Sequence, residues 1–151
     1  CVFKEGLNAT AANFGPFTTF SECRFIGYAS FDFATFDRSR FSKALFKETA
    51  YFYASIFNAS NTFNDAIFKG KADFGNATVD DQINFGKATF CDRASFDDAR
   101  PDRSAALLSF NASEFCKHPQ GFLAASCMKI PIGRVLNYQT PRRRRLYLGI
   151  S

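Results

Sequence analysis

The residues of this chain that could carry chemistry are few, and most lie in its last third. His118, the one histidine, lies between Cys116 and Cys127, and sets of His and Cys can bind zinc. Their spacing does not match a zinc motif and a fourth ligand is not evident, so we expect no metal site. His118 has no Ser or Cys partner at a recognisable nucleophile spacing, and no Gly-rich phosphate loop is present. We therefore predict a non-enzymatic protein with no catalytic residues, no cofactor and no small-molecule substrate.

The dominant feature is a phenylalanine repeat, which uses most of the 21 Phe residues in the chain. Central positions follow one another at gaps that alternate between six and five, with one slip, because Phe36 and Phe41 are five apart where six is expected. Two residues before each centre stands a second repeating position, which is Ala, Ser, Thr or Cys in fifteen of eighteen units. The centres are Phe3, Ala9, Phe14, Phe20, Phe25, Phe31, Phe36, Phe41, Phe46, Phe52, Phe57, Phe63, Phe68, Phe74, Val79, Phe85, Phe90 and Phe96.

This spacing predicts a β-solenoid. In a helix the two Phe of an eleven-residue unit would point about 140° apart and form no single apolar stripe. In a short strand, residues two apart face the same side, so the small residue and the Phe both point inward. Four units make a coil of 22 residues, or 21 at the slip. The centres then stack in four columns, which begin at Phe20 (column one), Phe3 (column two), Ala9 (column three) and Phe14 (column four).

The segments 73–79 and 85–96, with their Ala-Thr-Val, Ala-Thr-Phe and Ala-Ser-Phe units, resemble the pentapeptide-repeat family. The resemblance covers about residues 1–100 and implies an all-β, right-handed, four-sided β-helix. Some members of that family are acidic, dimeric DNA mimics that inhibit type II topoisomerases. Residues 1–100 contain 11 Lys+Arg and 12 Asp+Glu, a net charge of −1, so the charge that DNA mimicry requires is missing.

The sequence predicts three regions: the solenoid at 1–100, a cap at 101–127 and a basic, loosely ordered tail at 128–151. The repeat is expected to end near Phe96, because Pro101 cannot donate to a strand ladder. Residues 102–110 are interpreted as a short helix or one last irregular coil. The apolar residues expected to cover the end of the core are Leu107, Leu108, Phe110, Phe115, Phe122 and Leu123.

Two of the five cysteines, Cys1 and Cys23, occupy the same inward position on successive coils. We expect buried free thiols that substitute for alanine, since a disulfide between in-register strands is possible but geometrically awkward. The odd number of cysteines weakly favours a reducing, cytoplasmic location. No signal peptide is visible, although a chain that starts with Cys1 is expected to lack its natural N-terminus.

The corners between units are rich in Asn, Asp, Gly, Ser and Lys, which suits turns. Function is expected to depend on the apolar residues that depart from this pattern. Five apolar residues fall at outward positions on two successive coils and could form a patch for a protein partner or a second copy of the chain. They are Ile26, Tyr28, Phe33, Tyr51 and Tyr53. The alternative is association with nucleic acid or an anionic membrane surface through the run Arg142, Arg143, Arg144 and Arg145, in a region (101–151) whose net charge is +6.

Overall fold

The fold is a four-sided β-solenoid built from strands of two or three residues. A computed structural model describes residues 1–102, 106–110, 113–118, 121–125 and 129–131. No helix is present among these residues, so the stretch 107–109 forms a last coil strand and not the short helix that was the other sequence interpretation. The solenoid predicted from the phenylalanine spacing is confirmed.

Each predicted column corresponds to one sheet, and successive coils pair in parallel. Column one contains Ser60–Thr62, Gln82–Asn84, Leu107–Ser109 and Lys129–Pro131, and bridges through Thr19 and Arg40 extend it toward the N-terminus. Column two contains Val2–Phe3, Arg24–Phe25, Leu45–Phe46, Ile67–Phe68, Thr89–Phe90, Ser113–His118 and Gly121–Ala125. Column three contains Leu7–Asn8, Ala29–Ser30, Ala50–Tyr51, Ala72–Asp73 and Ala94–Ser95. Column four contains Asn13–Phe14, Thr35–Asp37, Ile56–Asn58, Thr78–Val79 and Arg100–Pro101.

The core consists of four stacks of phenylalanine rings. Within a column, neighbouring rings are nearly parallel, as for Phe52 and Phe74, whose centroids lie 4.8 Å apart at 1°. Between columns the rings meet edge to face, as for Phe52 and Phe63 at 90°. From Phe25 to Phe96 every centre is buried, and the small residue two positions earlier lets the wall pass close to the rings. Packing therefore uses the two inward positions of each unit.

The repeat continues beyond Phe96, so the end predicted there is wrong. Phe110 is fully buried and stacks on Phe85 with centroids 5.1 Å apart. Leu108, which was expected to cover the end of the core, lies within the core as the register partner of Ile83. The side chains of Leu107, Phe115, Phe122 and Leu123 lie outside the described residues, and so does most of the predicted tail, so the limits of cap and tail stay predictions.

Pro101 fits the ladder because of the direction of the hydrogen bonds in column four. The bonds to the preceding coil come from the residues immediately before and after the proline: Arg100 N–H bonds to Ala77 O at 2.7 Å and Asp102 N–H to Val79 O at 2.8 Å. A centre donates its own N–H to the following coil, as Phe52 does to Asp73 O. Among the described residues no strand follows Arg100–Pro101 in column four, so the proline costs no ladder bond there.

The C-terminal end of the parallel ladder is followed by antiparallel pairing. Gly121–Ala125 pairs antiparallel with Ser113–His118, and Lys129–Pro131 pairs antiparallel with Leu107–Ser109. These two strands cover the backbone edges of columns one and two, which would otherwise present unpaired N–H and C=O groups.

The cysteine expectation is corrected. Cys1 and Cys23 are neighbours on successive coils, as predicted, but they form a disulfide, with Cα atoms 4.6 Å apart. That separation lies inside the range for disulfides, near its lower end, because adjacent strands are about 4.8 Å apart. Cys91 is a free, half-buried thiol.

Candidate functional site: an aromatic surface on column three

The turn after each column-three centre places one residue in the left-handed backbone region. In the second coil the turn closes with Ala34 N–H on Phe31 O at 3.1 Å, and Phe33 adopts φ 59°. The equivalent residues on other coils are Ala11, Ala54, Asn76 and Asp98, with φ between 52° and 57°. Small or polar residues suit this conformation, whereas a bulky side chain there is an outlier. Phe33 is nevertheless 56% exposed, so burial does not offset the conformational cost.

Phe33 contacts Tyr53 on the next coil, and Tyr53 is held in place by both neighbouring coils. The two ring centroids are 6.0 Å apart in an edge-to-face arrangement. The Tyr53 backbone N–H donates to Asp32 Oδ1 at 2.9 Å, and its hydroxyl accepts from Asn76 Nδ2 at 2.9 Å. A tyrosine that is 40% exposed is thus oriented by bonds at both of its ends.

Two glycines leave room for tyrosine rings, each on the coil next to the tyrosine that it faces. A Cβ at Gly75 would lie 3.3 Å from Tyr53 Cδ2 and 3.0 Å from Asp73 Oδ1. A Cβ at Gly6 would overlap the ring of Tyr28. The rings therefore lie against backbone on the neighbouring coil while their outer faces stay open to solvent.

The structure places the five predicted patch residues unequally. Tyr28, Phe33, Tyr51 and Tyr53 are all exposed, between 38% and 56%. Tyr51 lies in the column-three sheet between Ser30 and Asp73. Ile26 is half-buried, and its N–H bonds to the ladder of column two. Tyr28 and Phe33 on the second coil and Tyr51 and Tyr53 on the third are hereafter called the aromatic surface.

Two carboxylates accompany these rings. Burial raises the pKa of Asp32 above its ordinary value, and the negative charge of Asp73 raises it further. Hydrogen bonds from the Tyr53 N–H and the Ser30 hydroxyl oppose this rise. The carboxyl groups of Asp32 and Asp73 thus lie beside the tyrosines of the aromatic surface.

A second group of surface residues was missed at the sequence level. Phe17 is 60% exposed at φ 64°, and the Arg38 guanidinium lies over its ring at 5.6 Å from the centroid. The available signal was that Phe17 and Phe33 both fall off the phenylalanine repeat within its regular part. Phenylalanines that the core does not need are candidates for surface function.

The side chains of the other sequence candidates lie outside the described residues. Only the backbone of Cys116 and His118 is described, in the strand Ser113–His118, and Cys127 and Arg142, Arg143, Arg144 and Arg145 lie outside the described residues. Within the described ranges no three His, Cys, Asp or Glu side chains are grouped to hold a metal ion. The same ranges contain no helix long and apolar enough to cross a membrane.

Comparison with known proteins identifies the repeat. Residues 20–67 and 63–107 match the family model described as pentapeptide repeats (9 copies), and together they cover more than half of the chain. No curated protein and no solved structure matches it. The family's repeats form a right-handed β-helix, in agreement with the parallel, four-column ladder. The chain belongs to the pentapeptide-repeat family.

Proposed function

We propose that this protein is a non-enzymatic interaction scaffold whose aromatic surface docks a protein partner. The observation that carries the proposal is Phe33, a large apolar residue at positive φ that is more exposed than buried. Its ring contact with Tyr53 gives the fold little in return, because most of the side chain stays in solvent. Backbone strain with little structural return is typical of functional positions.

The arrangement of the rings supports binding over chance exposure. Tyr and Phe supply large contact areas with few rotatable bonds, and tyrosines are enriched among residues that dominate interface energies. Tyr53 is already oriented by Asp32 and Asn76, so little side-chain entropy remains to be lost on binding. The rigid solenoid holds the rings on adjacent coils at a fixed spacing.

The carboxyl groups beside the aromatic surface favour a partner segment that contains Lys or Arg. Asp32 and Asp73 lie beside Tyr51 and Tyr53, and a cation above an aromatic ring gains additional attraction. An ion pair with a Lys or Arg of the partner would offset the free-energy cost that burial imposes on the charged form of Asp32. A second copy of this chain is the alternative occupant, and the oligomeric state distinguishes it.

The test is capture from a lysate of the source organism with the full chain as bait. Tyr51→Ser with Tyr53→Ser should abolish capture of a specific partner. The matched control is Ile56→Ser with Ile67→Ser, because these residues are similarly exposed, at 41% and 39%, but belong to columns four and two. Unchanged capture and unchanged oligomeric state in the tyrosine variant would show that the aromatic surface is incidental.

The second candidate function is association with nucleic acid or anionic membranes through Arg142–Arg145. It is supported by the net charge of +6 in residues 101–151 against −1 in the solenoid. Binding to DNA, RNA or anionic vesicles should weaken steeply with salt and disappear when the four arginines are changed to glutamine. Absence of binding at low salt would dismiss this function.

A further inference from the structure

A notch of about 320 Å³ lies at the edge between columns four and one, away from the aromatic surface. Its volume falls in the range of small-ligand sites. Ala59, the corner residue of the third coil, leaves the space open where Phe17 and Arg38 project on the first and second coils. The polar and aromatic lining consists of Phe17, Arg38, Arg40, Ser60, Thr62 and Asp81.

One wall of the notch is a cation over an aromatic ring. Arg38 lies 5.6 Å from the Phe17 ring centroid, within the distance of a cation–π contact. Its other charged contact is weak, since its Nη1 lies 3.5 Å from Asp37 Oδ1 and the pair lies at the surface, with Arg38 exposed and Asp37 half-buried. Phe17 resembles Phe33 in being a bulky residue held at positive φ and left exposed. Its packing partner in this corner is a guanidinium.

Arg40 provides a second guanidinium on a fixed backbone. Its N–H bonds to Thr18 O at 3.0 Å, its carbonyl accepts from Phe20 N at 2.7 Å, and it bridges Thr19 and Thr62 on the adjacent coils. No carboxylate of the described residues pairs with its side chain. The notch thus contains a guanidinium that forms no ion pair with a described carboxylate, although Asp81 is part of the same lining.

The hydroxyls add directional donors and acceptors. Thr62 Oγ1 accepts the Asn64 N–H at 3.2 Å, which leaves its proton for a ligand. Ser60 Oγ donates to Asp81 Oδ2 at 2.5 Å. Two guanidiniums and the Thr62 hydroxyl offer more donors than the two oxygens of a carboxylate accept, whereas a phosphate monoester presents three terminal oxygens.

We propose that this notch binds a phosphate monoester, with the phosphate between Arg38 and Arg40 and the esterified group against the Phe17 ring. A free small molecule and a phosphorylated protein side chain both carry this monoester group, so either could be the ligand. The carboxylate of Asp81, which also lines the notch, repels the phosphate and so limits the affinity. This site is independent of the proposed docking at the aromatic surface.

The experiment is a calorimetric titration of the full chain at low ionic strength, with inorganic phosphate and with phenyl phosphate as the two ligands. Phenyl phosphate should bind about fivefold more tightly than inorganic phosphate because of the ring contact, and Phe17→Ser should remove that advantage. Arg40→Gln should weaken both ligands at least about tenfold, as expected for loss of a charged hydrogen bond. Asp81→Asn should strengthen both.

Two controls separate the notch from other arginines. Arg24→Gln changes an exposed arginine on column two, and glutamine at 142–145 neutralises the tail; neither should alter the affinity for phenyl phosphate. A phosphotyrosine peptide that binds more tightly than phenyl phosphate assigns the site to a phosphorylated protein, and equal affinity assigns it to a free ester. Equal affinities of the parent and Arg40→Gln, or loss of binding only in the tail variant, would overturn the proposal.

Discussion

The side-chain oxygen of Asn61 accepts the backbone N–H of Ser39 at 2.8 Å, at the point where the two coils differ in length. The corner between Phe36 and Phe41 has one residue fewer than the corner between Phe57 and Phe63. Asn61 Nδ2 also donates to the carbonyls of Asn58 and Ala59, at 3.0 and 3.2 Å. The buried carboxamide therefore supplies the bonds that the one-residue slip removes from the backbone ladder.

We predict that Asn61→Ala lowers the free energy of unfolding by about 2–3 kcal/mol, because buried backbone groups lose their partners. Asn61 is 1% exposed, so water cannot replace the amide without opening the corner. Chemical denaturation of the variant measures the change. Asn58→Ala, at an exposed position of the same corner, should change stability by less than about 0.5 kcal/mol. Equal losses in the two variants would contradict the role assigned to Asn61.

Truncation of one central ring should remove much of the stability of the solenoid. Phe52→Ala and Phe68→Ala each delete a fully buried ring that stacks on both sides. Such changes typically cost about 3–5 kcal/mol, against a total of about 5–15 kcal/mol for a domain. Thermal melts followed by circular dichroism should show a large fall in Tm. Melts that match the parent would refute the stacked-ring core.

The Cys1–Cys23 disulfide should be detectable by alkylation of the denatured chain. Without reductant, intact mass should show two fewer alkylated thiols than after reduction. Changing both cysteines to serine should lower stability by about 3 kcal/mol, the loop-closure entropy for a separation of this size. Cys91→Ser serves as the control for an unpaired thiol. If all five cysteines react without reductant, the bond is absent; if it forms, the odd cysteine count no longer favours the cytoplasm.

Asp32 should make the stability of the second and third coils depend on pH. Its pKa is raised in the folded state, chiefly by burial, so the folded chain binds more protons than the unfolded chain just above the ordinary pKa. Stability therefore falls as pH rises through that window. Asp32→Asn should be more stable than the parent at pH 7, and the difference should shrink as the parent's Asp32 becomes protonated in acid. A difference that stays constant down to pH 3 would contradict this assignment.

The spacing of phenylalanine predicted the columns, the register and the position of the slip, because one inward ring per unit leaves a single way to stack the coils. The same reasoning ended the repeat too early. Phe110 joins column one 25 residues after Phe85, where 22 is usual, so the inserted residues hid the periodicity. Pro101 appeared to exclude a further strand, but the bonds to the preceding coil come from Arg100 and Asp102, and the residue type alone does not show on which side of the strand the missing N–H would lie.

The surface was less predictable, since exposure alone does not determine contacts. The sequence identified Tyr51, Tyr53 and Phe33 as outward residues but could not give the bonds from Asp32 and Asn76 that orient Tyr53. It missed the notch because Phe17, Arg38 and Arg40 meet only when the corners of successive coils are superposed. Free thiols were expected at Cys1 and Cys23 and the disulfide was left as a geometrically awkward alternative, although the actual Cα separation permits it.

The most direct test of the account is Phe33→Asn, measured for both stability and partner capture. Asparagine tolerates the left-handed backbone conformation and already occupies the equivalent turn position at Asn76. We predict that the variant unfolds with the same or a higher free energy, by up to about 1 kcal/mol, and that it loses the partner captured by the parent. Retention of that partner by a stably folded Phe33→Asn variant would contradict the proposal that the aromatic surface exists for binding.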